Sequence, residues 1–285
     1  MTHVLTAIGD LDEATTAALA IFGTPTWLAP GRALDIPVTT ADAAALLADA
    51  RARLADRPID LAVQPTANRR KRLFLADMDA TMTRNESLDD LADVAGIGAE
   101  IAAITVRAMR GEIEFKAALA ERVALLAGLP ESALAEAYAR VNLTPGGATL
   151  VRTMKAHGAY AALVSGGFRY FTSRVAAACG FDEERANQLE IINGKLTGHV
   201  LDPILDRNAK REALEELAAK HGIGLEQTLA VGDGANDVDM VVAAGLGVAF
   251  HGKPALAERA AARIEHNDLT ALLYLQGYRR DEFVG

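Results

Sequence analysis

The stretch Phe74-Leu-Ala-Asp-Met-Asp-Ala-Thr-Met-Thr83 decides how the rest of the chain is read. Leu73 to Ala76 form an apolar run of a length that suits a fully buried strand, and the run ends in two carboxylates, Asp77 and Asp79, spaced i and i+2. Burying both is expensive unless a cation or hydrogen bonds compensate them. A divalent ion with oxygen ligands does so, and Mg²⁺ needs only one or two carboxylates when water and a substrate phosphate complete its shell. An isolated Asp-x-Asp is more often a pair of acidic caps at a strand–helix turn, so the rest of the chain has to decide between the two.

Three further apolar runs end in small or acidic residues: Tyr160–Val164 before Ser165, Thr228–Val231 before Gly232-Asp233, and Gly247–Phe250. Their alternation with helical stretches predicts an α/β fold, a doubly wound, mostly parallel (Rossmann-like) sheet with helices on its faces. Ligands in such sheets bind beyond the carboxyl ends of the strands, which would bring Asp77, Ser165 and Asp233 into one crevice. Between the first two strands, about residues 87–142, the pattern predicts helices over Ser87–Val94, Gly98–Met109, Glu114–Leu126 and Glu131–Val141, broken at glycines and Pro130. Such a block exceeds a simple crossover and reads as a helical cap over the crevice. Asn193-Gly194, between two short β-like runs, predicts a hairpin.

Residues 1–66 read as a separate small α+β domain. Strands at His3–Ile8, Thr26–Ala29, Ala33–Val38 and Ile59–Val63, with helices at Leu11–Phe22 and Ala41–Ala55 (capped by Thr40), give the β-α-β-β-α-β order of a ferredoxin-like unit. Its exposed strand edges suggest a dimerising role and a homodimer. The basic run Asn68-Arg-Arg-Lys-Arg72 reads as a solvated linker into a second domain, residues 67–285.

Composition narrows the function classes. The 285 residues are 51% hydrophobic and 24% charged, as expected of a folded globular chain. Acidic residues outnumber basic ones 38 to 29, a net charge of −9, which disfavours nucleic acid and anionic membranes as partners. No apolar run approaches the ~18 residues of a membrane span and no signal peptide opens the chain, so a cytoplasmic protein is expected. The lone Cys179 reads as buried filler. Gly245–Gly252 lacks the spacing of a dinucleotide loop, and Gly232–Asp237 lacks the alternating acids of a calcium loop.

Four segments in order, Asp77-Met-Asp79-Ala-Thr81, Ser165-Gly-Gly167, Lys210 and Gly232-Asp233-Gly-Ala-Asn-Asp237, resemble the motifs of the haloacid-dehalogenase-like phosphohydrolases. The resemblance implies catalysis by Asp77 as nucleophile, Asp79 as general acid and base, and Lys210 as countercharge to phosphate. It implies one Mg²⁺ held by Asp77, Asp233 and the backbone carbonyl of Asp79, with Asp237 behind them orienting Lys210 or metal-bound water. Phosphate would rest on Ser165, Gly166, Asn236 and the N–H groups of Asp79 and Ala80.

Over residues 72–260 the similarity is closer to the phosphoserine phosphatase family. It is carried by Glu86, nine residues after Asp77, by Ala108-Met109-Arg-Gly111, Phe115 and Arg122, and by Ser165-Gly-Gly-Phe168. By match, Glu86 takes the ammonium of phosphoserine and Arg122 its carboxylate, while Met109 and Phe115 wall the site. The implied activity is Mg²⁺-dependent hydrolysis of O-phospho-L-serine through an aspartyl phosphate, the last step of serine biosynthesis. Ala80 departs from the family's usual Ser. Two other readings stay open: a phosphotransferase or phosphatase on another small phosphomonoester, and a non-catalytic serine-sensing protein.

Overall fold

A computed structural model describes residues 2–55 and 57–285; the side chain of Met109 lies outside the described residues. Its centre is a seven-stranded sheet of β5 (Leu73–Ala76), β6 (Tyr160–Phe168), β7 (Glu183–Ile192), β8 (Lys195–Leu201), β9 (Thr228–Gly232), β10 (Leu246–Phe250) and β11 (Ala262–Ile264). The spatial order is β11-β10-β9-β5-β6-β7-β8, and every pairing is parallel except the β7–β8 hairpin. The chain therefore winds from β5 through β6 and β7 on one side and through β9, β10 and β11 on the other. That reversal places β5 at the topological switch point, where a crevice opens at the strand ends.

Burial on both faces explains why β5 is apolar without alternation. Leu73, Phe74, Leu75 and Ala76 are all 0% exposed. Phe74 and Ala76 join one core cluster and Leu73 and Leu75 the other, as the two-residue period of a strand requires. At about 1.5–3 kcal/mol per fully buried large side chain, these contacts hold the tip of β5 firmly.

The hairpin turns on Asn193 and Gly194, both at positive φ (52° and 72°) as its sequence predicts. Helices Ser87–Ala95, Gly98–Met109, Phe115–Ala124 and Ser132–Tyr138 form the insert between β5 and β6. Among the described residues no helix is long and apolar enough to cross a membrane. Cys179 is buried, and burial pushes its thiol up to about 11.

The amino-terminal sheet consists of β1 (Thr2–Ile8), β2 (Thr26–Ala29), β3 (Ala33–Thr39) and β4 (Asp60–Pro65) in the antiparallel order β2-β3-β1-β4, with helices Glu13–Leu19 and Ala43–Leu54. This is the ferredoxin-like arrangement expected from the element order. One detail differs. Asp42 rather than Thr40 caps the second helix: its carboxylate accepts the Ala45 N–H at 2.9 Å, and the Thr40 hydroxyl accepts the Asp42 N–H at 3.0 Å instead, a local turn that sets Asp42 in the cap position.

The basic connector is not a solvated linker. Arg69 donates to both carboxylate oxygens of Asp35 (2.5 and 2.8 Å) and to the Leu275 and Tyr274 carbonyls (2.8 and 3.1 Å). Lys71 is buried with Nζ on the Glu226 carbonyl, 2.7 Å away. These acceptors lie far from the connector in sequence, so its composition alone cannot reveal them. Asp60 of β4 adds a second tie by accepting the Glu265, His266 and Asn267 N–H groups and Asn267 Nδ2.

Removing Arg69 would leave Asp35, only 8% exposed, without its cation. Breaking one partner of such a pair typically costs about 3–5 kcal/mol. Arg69→Met should therefore lower the unfolding free energy by about that amount, read as the shift in urea midpoint multiplied by the slope of the transition. A change below about 0.5 kcal/mol, the scale of ordinary surface substitutions, would mean the tie contributes nothing.

Candidate functional site

Asp77 leaves β5 with its N–H on the Val231 carbonyl of β9, at 3.0 Å, which fixes the carboxylate at the mouth of the switch point. Oδ1 accepts from the Met78 N–H (2.8 Å) and lies 2.7 Å from Lys210 Nζ; Oδ2 accepts from Asn236 Nδ2 (3.3 Å). The chain then turns sharply. Ala80 adopts left-handed φ (+53°), a strained conformation for a residue with a Cβ, and its N–H donates to the Asn85 carbonyl at 3.2 Å. The Ala80 N–H expected at the phosphate is thus turned away from the crevice and committed to that loop.

Asp79 is held by Ser87, whose N–H donates to Oδ1 at 2.9 Å and whose hydroxyl donates to Oδ2 at 3.2 Å. A face of Asp79 opens to the cavity, yet the protein around it pushes the carboxyl up to about 6. Burial is the cause, opposed by the Ser87 bonds and by Lys210. Gly167 makes the approach possible: a Cβ there would lie 2.8 Å from Asp79 Oδ2 and 3.1 Å from Ser165 Oγ.

Lys210 comes from the helix Arg207–Lys220, whose N-terminus Asp206 caps by accepting from Asn208 and Ala209. It is 1% exposed, with Nζ 2.6 Å from Asp237 Oδ1 and 2.7 Å from Asp77 Oδ1. Burial alone would depress the ammonium, but Asp237 and Asp77 outweigh it and hold it above its ordinary value. The other oxygen of Asp237 accepts the N–H groups of Asp233 and Gly234 (3.1 Å each). Asp237 thus orients Lys210 from behind the cavity wall.

Carboxylate oxygens of Asp77, Asp233 and Asp237, all three residues buried, lie within 4.8 Å of one another. Burial and Asp237 push the Asp77 carboxyl well up, more than Lys210 draws it down. The cluster therefore holds more negative charge than its ammonium balances, and its hard oxygen donors suit a small divalent cation. Lys253 offers partial balance, with Nζ 2.9 Å from Asp233 Oδ2 and its N–H on the Asp233 carbonyl at 2.8 Å.

Asp77, Asp79, Glu86, Phe115, Arg122, Ser165, Gly166, Lys210, Asp233 and Asn236 all line one cavity of about 350 Å³. Phe115 sits above Gly166, its Cζ 3.5 Å from where a Cβ would stand. Burial and Asp79 raise the Glu86 carboxyl, with Lys253 opposing, although the water that reaches Glu86 damps the effect. Arg122 has Asp89 and Glu86 as its nearby acids. Asp237 lies just outside the lining, and the side chain of Met109 falls outside what is described. Sequence reasoning missed the roles of Ser87, Gly167 and Lys253 around this cavity. Only Gly167, within Ser165-Gly-Gly167, stood in a motif.

The cavity, its acidic cluster and its ammonium suit a small anionic ligand held beside a divalent cation. Comparison with known proteins gives the family. The family model of haloacid dehalogenase-like hydrolases matches residues 74–241. A phosphoserine phosphatase of Archaeoglobus fulgidus is 48% identical over 216 residues, 75% of this chain, although the chain spans only 63% of that relative's length. A HAD family hydrolase from Salmonella enterica superposes with TM-score 0.88 at 29% identity, covering 96% of this chain and 98% of its own. A phosphoserine phosphatase solved as an analogue of its phospho-aspartyl intermediate superposes with TM-score 0.67 at 42% identity over 72% of this chain and 98% of its own. With its motif residues gathered at the tips of β5, β6 and β9, this chain belongs to the haloacid dehalogenase-like hydrolases.

Proposed function

We propose that the chain is a Mg²⁺-dependent phosphatase that converts O-phospho-L-serine to L-serine and phosphate through a phospho-aspartate on Asp77. One observation carries the reading: Asp77, Lys210, Asp79, Glu86 and Arg122 share a single small cavity, so groups for phosphate, ammonium and carboxylate lie within one substrate's reach. The relative captured as a phospho-aspartyl analogue supports the covalent step. Such a reaction would close a serine-forming route, which goes with a cytoplasmic setting.

In the first half-reaction an Asp77 carboxylate oxygen attacks phosphorus while the bond to the serine oxygen breaks, and Asp79 gives that oxygen its proton. A carboxyl raised to about 6 retains a protonated fraction near neutrality, as an acid requires. In the second, Asp79 takes a proton from water, the water oxygen attacks phosphorus, and the Asp77–phosphate bond breaks. Lys210, held by Asp237, keeps a positive charge beside the reacting group throughout. A bound Mg²⁺, on Asp77, Asp233 and the Asp79 carbonyl, would neutralise phosphate charge and so admit an anionic nucleophile. Glu86 and Arg122 would fix the amino-acid end, the planar guanidinium matching a carboxylate. Phe115 would exclude water above Gly166. Residues 1–66 would form a distinct regulatory or dimerising unit beside the catalytic residues 67–285.

Phosphate release from L-phosphoserine should require Mg²⁺, stop with EDTA, and fall at least about 10⁴-fold in Asp77→Asn, the scale of losing a nucleophile. Unimpaired release by Asp77→Asn would remove the covalent mechanism. Glu86→Gln and Arg122→Ala should each raise KM for phosphoserine about 10–100-fold, the cost of one charged hydrogen bond. They should leave a plain alkyl phosphate unaffected. Equal losses on both substrates would favour a different phosphomonoester, and product analysis with competing alcohols would reveal phosphotransfer.

Ser87→Ala supplies a pH test. The acid form of Asp79 is present below its pKa and lost as pH rises through it, giving kcat/KM an alkaline limb. The Ser87 hydroxyl bond favours the charged carboxylate, so its loss should move that limb to higher pH. An unmoved limb would separate Asp79 from the acid role.

A further inference from the structure

A second cavity, of about 510 Å³, opens where the amino-terminal sheet meets the core, and it shares no lining residue with the catalytic one. Arg32 enters it from the loop before β3, Thr149 from the first turn of the helix Gly147–Ala156, and Asn267, Thr270, Tyr274 and Arg280 from the carboxyl-terminal segment.

These three parts are locked together. Gly146, at φ +80°, lets the helix start against the 268–270 loop: a Cβ there would stand 2.7 Å from the Thr270 nitrogen. Asn267 Nδ2 bridges the Ile8 carbonyl (3.0 Å) and Asp60 Oδ2 (2.8 Å), which ties the same loop to β1 and β4.

The charges in this cavity are unbalanced. Among the described residues neither Arg32 nor Arg280 has a carboxylate within ion-pair distance, whereas the nearby Arg69 is paired with Asp35. Burial raises the Tyr274 hydroxyl, and the positive charges of Arg280 and Arg32 draw it back down; the Arg280 guanidinium itself lies over the Phe283 ring, 5.0 Å from its centroid. Asp268 also lines the cleft, its Oδ1 accepting from the Thr270 N–H (2.9 Å) and hydroxyl (2.5 Å), so two guanidiniums stand against one carboxylate and one positive charge is in excess. With one carboxylate for two guanidiniums, a second anion in the cleft would complete the balance.

We propose that this cleft is a binding site for a small oxyanion-bearing ligand, gripped by Arg32 and Arg280 with the Thr149, Thr270 and Tyr274 hydroxyls completing its hydrogen bonds. Guanidinium forks match carboxylate and phosphate oxygens alike. The shared chemistry is therefore the oxyanion, and two probes separate its sources.

The test titrates the full chain calorimetrically, at matched ionic strength in a chloride buffer with no metal, chelator or carboxylate added, with malonate for a carboxylate and methylphosphonate for a phosphate group. At least one should bind saturably to the wild type and about tenfold or more weakly to Arg32→Ser/Arg280→Ser, the scale of a charged hydrogen bond. The probe that loses affinity names the source. Phosphoserine hydrolysis by the double variant should stay unchanged, which also checks its fold. Arg32→Lys, which keeps the charge but not the fork, should lose an intermediate amount. Absence of saturable binding to the wild type, or equal binding to wild type and double variant, would overturn the proposal.

Discussion

Buried negative charge at the tip of β5 is the constraint around which the molecule is arranged. Two carboxylates 4 Å apart repel by about 4 kcal/mol even at an effective dielectric of about 20, and here those of Asp77, Asp233 and Asp237 crowd within 4.8 Å. One ammonium, Lys210, lies between two of them. For it to stay there the helix Arg207–Lys220 must be immobile, and Ala213, Leu214, Leu217 and Ala218 bury its inner face in the cluster that also holds Leu73 and Leu75. That hydrophobic layer is therefore part of the electrostatics: it fixes the cation that makes the acidic tip tolerable.

Labour is divided between the sheet and the insert. Asp77, Ser165, Asp233 and Lys210 stand on β-strand ends or on a helix packed beneath them, whereas Glu86, Phe115 and Arg122 belong to the insert or its entry. Ser87 is the joint between the two. It begins the first insert helix and holds both oxygens of Asp79, so the carboxyl proposed to move the proton is positioned by the insert rather than by the sheet. On the proposed reading, substrate recognition could vary on the insert while the strand tips that would handle phosphate stay unchanged.

Much of this was legible in the sequence because it depends on local pattern. Apolar runs ending in small or acidic residues located the strand tips, and Asn193-Gly194 located the hairpin. Ordered motifs located Asp77, Ser165, Lys210 and Asp233, and the cavity unites them. The failures share one cause, which is that a long-range partner decides. Arg69 and Lys71 look like a charged linker until the carbonyls of Leu275, Tyr274 and Glu226 arrive to accept from them. Lys253 carries no motif, and only the fold brings it to Asp233. The Thr40 hydroxyl turns to the Asp42 N–H, which moves the helix cap by two residues. At Ala80 a left-handed φ, invisible in composition, sends its N–H to Asn85 rather than to the crevice.

The amino-terminal sheet is built into the core rather than tethered to it. Ile8, Leu28, Ala29, Ala33 and Ala62 lie in the same cluster as Phe74 and Ala76, while Leu5, Leu34 and Ile36 face the unit's own helices. A sheet buried on both faces cannot swing without exposing apolar surface, at roughly 25 cal/mol per Å². Any influence of this unit on catalysis must therefore pass through packed atoms, and one continuous route exists. Asp60 holds Asn267; the Leu269 N–H donates to the Pro145 carbonyl at 3.1 Å; the Thr144 N–H donates to the Met82 carbonyl at 2.9 Å. Met82 lies in the turn that carries Asp79. Contiguity alone does not make coupling, but it confines coupling to the segment that also floors the arginine-lined cleft, so binding there and motion at the catalytic turn would act on the same few backbone hydrogen bonds.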